Sequence, residues 1–258
     1  MAFVGNRHRF DPIEVTDVTL VIPDLPPALE GFTFIHLTDL HIGVFTGRRE
    51  LDHVVETVKR LRGDAIVLTG DVMDNSPRHI PEGMRSLGRL RARAGVYGIL
   101  GNHDHVTGGA RVARGMADVG ILPLVNASVR LAPGGGDPLI LAGVDDLSAV
   151  RLGRGHGPDL QRALAGTPQG APVLLLAHNP DYVVSSGGKV AAQLSGHTHG
   201  GQINPAGLAR RWISFPSGRF TWRGTVLYVS RGVGITGPPV RIGAAPEIAR
   251  IGLTARRV

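Results

Sequence analysis

Residues 196–202 read GHTHGGQ, two histidines one residue apart and fenced by glycines. A buried structural histidine needs one hydrogen-bonding partner, not a twin. Glycine admits positive φ and lets another group approach the backbone closely. The chemistry that asks for two imidazoles on such a loop is metal binding, and it requires further ligands elsewhere. The chain has no cysteine, so those ligands must be nitrogen and oxygen donors.

Four more motifs offer them: DLH at 39–41, GDVMD at 70–74, GNHD at 101–104 and AHNP at 177–180. The candidate donors are Asp39, His41, Asp71, Asn102, His178, His197 and His199. Seven are too many for one tetrahedral zinc. They suit two five- or six-coordinate ions with one carboxylate shared between them. Asp39 and His41 are i and i+2, which in an extended segment project to the same side, and His197 and His199 share that spacing. Gly70 and Gly101 leave room for the chain to turn sharply before Asp71 and Asn102. Two cations about 3.5–4 Å apart clamp the attacking and leaving oxygens of an in-line displacement and acidify a bridging water.

The elements that must position these residues are legible in the apolar pattern. Strands are expected at 16–22, 32–39, 64–71 and 95–104, and again at 139–146, 172–181 and 190–199, with several more within 219–253. Residues 48–62 have helical spacing, with Leu51, Val54, Val55, Val58 and Leu61 on one face. Further helices are expected at 81–93, 109–118 and 158–166, and a hairpin turn at PGGGD, 133–137. DAIVLTGD is a short, fully apolar run of the kind found in a sheet covered on both faces. Each motif falls at the end of such a run, which is where α/β sheets carry their sites. The pattern predicts one α/β domain over 1–258, with two sheets packed between helices.

Composition narrows the partners. Hydrophobic residues are 42% of 258, an ordinary globular proportion. The net charge of +7 is carried by arginine, since Lys59 and Lys189 are the only lysines. The arginines are scattered, so nucleic acid is disfavoured as a substrate. No stretch reaches the eighteen or so apolar residues of a membrane span. The opening MAFVGNRHRFDPIE lacks the apolar core of a signal peptide. As numbered, the chain is expected in the cytoplasm, with export or anchoring only if an N-terminal segment has been removed. Peripheral membrane association stays open, and no obligate protein partner is evident.

The ordered motif set resembles the calcineurin-like metallophosphoesterases, over about residues 32–253. HLTDLHIG, LTGDVMD, GHTHGGQI and YVSRGVG…PPVRIGAAPEI are most similar to the bacterial YaeI/YkuE-type branch, whose members often carry an N-terminal membrane or export segment. The resemblance implies a four-layer α-β-β-α sandwich, two mixed sheets flanked by helices, with a dinuclear metal site at strand ends. It implies one metal held by Asp39, His41, Asp71 and His199, and a second by Asp71, Asn102, His178 and His197, with Asp71 bridging. His103 would face the substrate and protonate the leaving oxygen or stabilise the phosphoryl charge, and Asp104 would hold its ring. Arg231, in SRGVG, is a candidate for a phosphate oxygen, with a structural ion pair as the alternative. Asp74 reads as a ligand-orienting residue or a helix cap, His105 as part of a solvated loop, and Asp145 and Asp146 as turn or cleft residues.

The implied activity is hydrolysis of phosphodiesters in a small phosphorylated substrate through a metal-activated hydroxide. The alternatives are a pyrophosphatase acting on a nucleotide-linked envelope lipid precursor such as UDP-diacylglucosamine, a nuclease, and a non-catalytic scaffold of the kind a retromer subunit represents. Retention of His103 and of all seven donors argues against the scaffold. Manganese is the first choice for both ions, and iron, zinc and cobalt also suit mixed nitrogen and oxygen donors.

Overall fold

The structure, a computed structural model, describes residues 13–255. The N-terminal stretch inspected above for a leader falls almost wholly outside them. In chain order, β1 (Glu14–Ile22) and β2 (Thr33–Leu37) precede α1 (Arg48–Leu61), β3 (Ala65–Thr69), α2 (Ile80–Leu87) and β4 (Val96–Ile99). Then come α3 (Asn102–Thr107), α4 (Gly109–Asp118) and the two-residue β5 (Leu122–Pro123). The second half runs β6 (Ala127–Leu131), β7 (Leu139–Gly143), α5 (Ser148–Arg151), α6 (Leu160–Ala163), β8 (Val173–Leu176), α7 (Val183–Ser186), β9 (Ala192–Ser195), β10 (Gly218–Trp222), β11 (Thr225–Val229) and β12 (Glu247–Ala255).

Two six-stranded mixed sheets result, ordered β1-β12-β2-β3-β4-β5 and β10-β11-β9-β8-β7-β6. At the heart of the first, β2, β3 and β4 run parallel. At the heart of the second, β7, β8 and β9 do the same. Alternation along the strands explains the layers. Phe34, Ala65, Val67 and Ile99 from the first sheet meet Leu139, Leu141, Leu174, Leu176 and Leu194 from the second in one core. The intervening Ile35, Leu37, Ile66 and Leu68 point the other way, onto Leu51, Val54, Val55 and Val58 of α1 and onto Met84, Leu87, Val112 and Met116. Ile140, Ala142 and Leu175 cover the outer face of the second sheet together with Ala163 and Tyr182. The order of layers is therefore α-β-β-α. All five residues of β3 are buried, because both of its faces are covered.

Helix α1 ends where Arg62 turns left-handed at φ 50°. Its start is held by Glu50, whose carboxylate accepts from the Gly47 N–H at 3.0 Å. Two helices are shorter than their apolar spacing predicts. The 81–93 pattern yields α2 over Ile80–Leu87 only, and the 158–166 pattern yields the single turn α6, Leu160–Ala163. Among the described residues no helix is long and apolar enough to cross a membrane.

Candidate metal centre

The donors lie just past the ends of five parallel strands. Leu37, Thr69, Ile99, Leu176 and Ser195 close β2, β3, β4, β8 and β9. Asp39, Asp71, Asn102, His178 and His197 follow two or three residues later. The expectation of an extended i, i+2 pair is corrected here. Asp39, His41, Asp71, His197 and His199 all have positive φ, from 45° to 73°. The chain has left the strand and turned left-handed at each of these donors. Aspartate and histidine are among the non-glycine residues that tolerate this region best. The turns are braced in pairs: the N–H groups of Asp39 and His41 donate to Gly70 O and Asp71 O at 3.1 and 3.0 Å. Gly101 is required by close approach, since a Cβ there would overlap the Asp71 carboxylate.

The side chains converge as two groups around one oxygen. In the first, His41 Nε2 lies 3.0 Å from His199 Nε2, 3.8 Å from Asp39 Oδ1 and 3.6 Å from Asp71 Oδ2, and His199 Nε2 lies 3.4 Å from Asp39 Oδ1. In the second, His178 Nε2 is 3.2 Å from the same Asp71 Oδ2 and 3.1 Å from Asn102 Oδ1. Asn102 Oδ1 is also 3.0 Å from His197 Nδ1. Donors about 2.1 Å from a common ion stand roughly 3.0–3.4 Å apart; the second group's contacts and the His199 contacts of the first lie in that range, and the 3.6 and 3.8 Å separations from His41 are wider. The donor set is two carboxylates, one amide oxygen and four imidazoles, and the carboxylate oxygen Asp71 Oδ2 belongs to both groups.

Surrounding bonds fix which atom each candidate ligand presents. Asp39 Oδ2 accepts from Thr38 Oγ1 at 2.8 Å, the His197 N–H is shared between Oδ2 at 3.0 Å and Oδ1 at 3.1 Å, and Oδ1 is the oxygen that faces His41 and His199. Asp71 Oδ1 accepts from the His103 N–H at 2.8 Å and leaves Oδ2 to the centre. His178 Nδ1 donates to Thr69 O at 2.8 Å, fixing the tautomer whose Nε2 lone pair faces Asp71. Burial alone would push Asp39 and Asp71 up. The imidazoles beside them, His199 and His41 for Asp39 and His178 and His41 for Asp71, hold both below the usual carboxylate range. Burial likewise opposes charge on His41, yet Asp39, Asp74 and Asp71 push it up to about 9. His199 goes the other way, to about 3, because burial outweighs the pull of Asp39 and both His41 and Arg241 are close.

His103 stands beside the first group, its ring perpendicular to that of His41 with centroids 4.7 Å apart. It is 22% exposed, unlike the buried His41 and His178. The resemblance assigned its orientation to Asp104, and the structure corrects this. The buried Asp104 carboxylate accepts from three backbone N–H groups, those of Val72, Met73 and Gly101, at 3.2, 2.8 and 2.9 Å. Burial, with Asp71 nearby, pushes Asp104 up to about 6. Asp74 takes the orienting place instead. His103 Nδ1 lies 3.1 Å from Asp74 O and 3.4 Å from its Oδ1, and the same Oδ1 is 3.5 Å from His41 Nδ1.

The places of three other residues bear on the centre. Arg231 is held by Glu247 at 3.3 Å and Glu14 at 2.8 Å, so its guanidinium is engaged in the ion pairs that were the alternative reading. His105 is buried rather than solvated, because the segment after β7 folds over it and Asp145 Oδ1 meets its Nε2 at 2.7 Å. Arg241 lies outside the five motifs. Its buried guanidinium donates to Gly234 O, Arg231 O and Ala244 O and meets His199 Nδ1 at 3.1 Å. The PPVRIGA stretch gave the only sequence signal, a lone arginine among small and apolar residues.

The sequence profile described as calcineurin-like phosphoesterase matches residues 32–201. A transmembrane protein with a metallophosphoesterase domain from Bos taurus is 34% identical, over 99% of this chain and 60% of its own length. The metallophosphoesterase YkuE of Bacillus subtilis (strain 168) is 32% identical, over 95% of this chain and 87% of its own. Among solved structures, a Thermus thermophilus protein superposes with a TM-score of 0.51 at 13% identity, over 77% of this chain and 88% of that one, which speaks to the fold alone. The chain spans 60% of the length of the vertebrate relatives it matches.

Proposed function

The chain belongs to the calcineurin-like phosphoesterase family, and from that premise we propose that it is a metal-dependent phosphoric ester hydrolase that cleaves phosphodiesters of small phosphorylated substrates. The observation that carries this reading is the pair of donor groups sharing Asp71 Oδ2, with the partly exposed His103 beside them. In the proposed centre, Asp39, His41, Asp71 and His199 hold one divalent ion, and Asp71, Asn102, His178 and His197 hold the other. Bound there, the ions polarise phosphoryl oxygens and lower the pKa of water, with manganese the first choice among the metals these donors suit. The protein's own contribution is positioning. Asp74 holds the Nδ1 side of His103, which leaves Nε2 as the ring atom that delivers a proton to the leaving oxygen. Asp104 acts at one remove, by fixing the backbone of the two loops that carry Asp71 and Asn102.

The test compares wild-type protein with His103→Ala on an alkyl phosphodiester and on a nitrophenyl diester, with metal content measured in each. The variant is expected to keep its ions and to lose roughly 10²–10⁴ in rate on the alkyl ester, the usual scale for general acid catalysis. Its loss on the nitrophenyl ester should be smaller, since that group departs without a proton. Equal losses would make His103 an electrostatic clamp instead of an acid. Turnover of monoesters alone by the wild type would overturn the diesterase reading.

A further inference from the structure

Immediately after the ligand His199 comes a segment whose surface the proposed hydrolysis does not use. Residues 203–213, INPAGLARRWI, fold into an ordered knuckle around buried Asn204 and Ala209. Asn204 Nδ2 donates to Gly200 O at 2.8 Å, its Oδ1 accepts from the Ala209 N–H at 2.8 Å, and its N–H donates to Ile242 O at 2.7 Å. A bridge pairs Ile203 with Ile242. The knuckle is thus tied to the metal centre on both sides, through Gly200 and through Arg241, the neighbour of Ile242 that meets His199.

Its exposed residues include large apolar side chains. Trp212 is 70% exposed, Ile203 and Ile242 are each 46% exposed, and Leu208 is 38% exposed. Single exposed apolar residues need no explanation, but three within one braced segment and a fourth bridged to it are the observation from which an interaction surface is argued. Arg210 and Arg211 are exposed on the same segment, and no aspartate or glutamate occurs anywhere between Asp181 and Glu247. The segment therefore does not neutralise its own positive charge. An exposed tryptophan with aliphatic neighbours and adjoining arginines is the composition that settles at the headgroup boundary of a bilayer. Three of the four apolar side chains are aliphatic and offer no ring on which a base could stack, which disfavours nucleic acid.

We propose that this knuckle seats the chain on an anionic lipid surface, with Trp212, Leu208, Ile203 and Ile242 entering the headgroup boundary and Arg210 and Arg211 meeting lipid phosphates. Combined with the hydrolase reading above, on which only this consequence rests, a phosphoester carried in the lipid would reach the metal centre without leaving the interface.

The experiment is co-sedimentation of the 258-residue chain with vesicles of equal parts phosphatidylcholine and phosphatidylglycerol, and with pure phosphatidylcholine, at low and high salt. Binding is expected to the anionic vesicles and to weaken with salt. Each arginine near the surface is worth roughly fivefold. Arg210→Gln combined with Arg211→Gln should therefore weaken binding by an order of magnitude or more, and Leu208→Ser combined with Trp212→Ser should weaken it comparably. Both double variants should keep wild-type turnover of a soluble nitrophenyl diester, which also reports that they fold. Absence of vesicle binding at low salt, or binding that survives both double variants, would overturn the proposal. So would binding of single-stranded nucleic acid, in place of vesicles, that the same variants abolish. Vesicle binding without hydrolysis would sink the hydrolase reading alone, and hydrolysis without vesicle binding would sink this one alone.

Discussion

Asp74 and Asp104 divide two tasks that the GNHD motif was expected to combine. Asp104 satisfies three buried N–H groups and so holds the loops after β3 and β4 against each other. Asp74 faces the side chains of His41 and His103 and is partly open to solvent. Their substitutions should differ in kind. Asp104→Ala leaves those donors unpaired in the interior and should cost on the order of 3 kcal/mol or more of stability, read from denaturant midpoints. Asp74→Asn should leave the midpoint almost unchanged and lower turnover roughly 10–100-fold, the usual effect of removing a partner that orients ligands. A large fall in stability for Asp74→Asn, with wild-type stability for Asp104→Ala, would reverse the assignment.

Between β2 and β3 a polar bond crosses the buried interior, His36 Nε2 to Thr69 Oγ1 at 2.7 Å. Burial pulls His36 down to about 4, against the attraction of Glu247 and Asp39. The folded protein therefore excludes a proton that the unfolded chain accepts below about 6.5. Its share of stability is intact above that pH and declines as the pH falls toward 4, by up to about 3 kcal/mol. Denaturant midpoints measured from pH 7 to 4 should fall less steeply for His36→Gln than for the wild type; parallel slopes would mean that His36 is not the group responsible. The same strands show what sequence can carry. Their runs, and the motifs just beyond them, were legible because strands covered on both faces are mostly apolar, with His36 and the terminal threonines Thr33 and Thr69 as the exceptions. The left-handed turns at Asp39, His41, Asp71, His197 and His199 were not, since no local pattern distinguishes a ligand on an extended chain from one just past it. The burial of His105 depends on a segment forty residues away, and the engagement of Arg231 depends on Glu14 at the far end of the chain. Neither contact leaves a local trace.

At the scale of the molecule, the candidate centre joins loops of two sheets that also meet through the shared apolar core and through Tyr228 Oη, which donates to Glu247 Oε1 at 2.6 Å. The first sheet's loops supply Asp39, His41, Asp71 and Asn102, and the second sheet's loops supply His178, His197 and His199. Ions bound there would tie the layers together and stabilise the fold by linkage. The most direct test of this account is the metal content of folded protein loaded with manganese and freed of excess, for the wild type, Asp39→Asn and Asp71→Asn. The account predicts two ions per chain in the wild type, about one in Asp39→Asn, and loss from both positions in Asp71→Asn. At most one ion per folded wild-type chain, or two retained by Asp71→Asn, would contradict it.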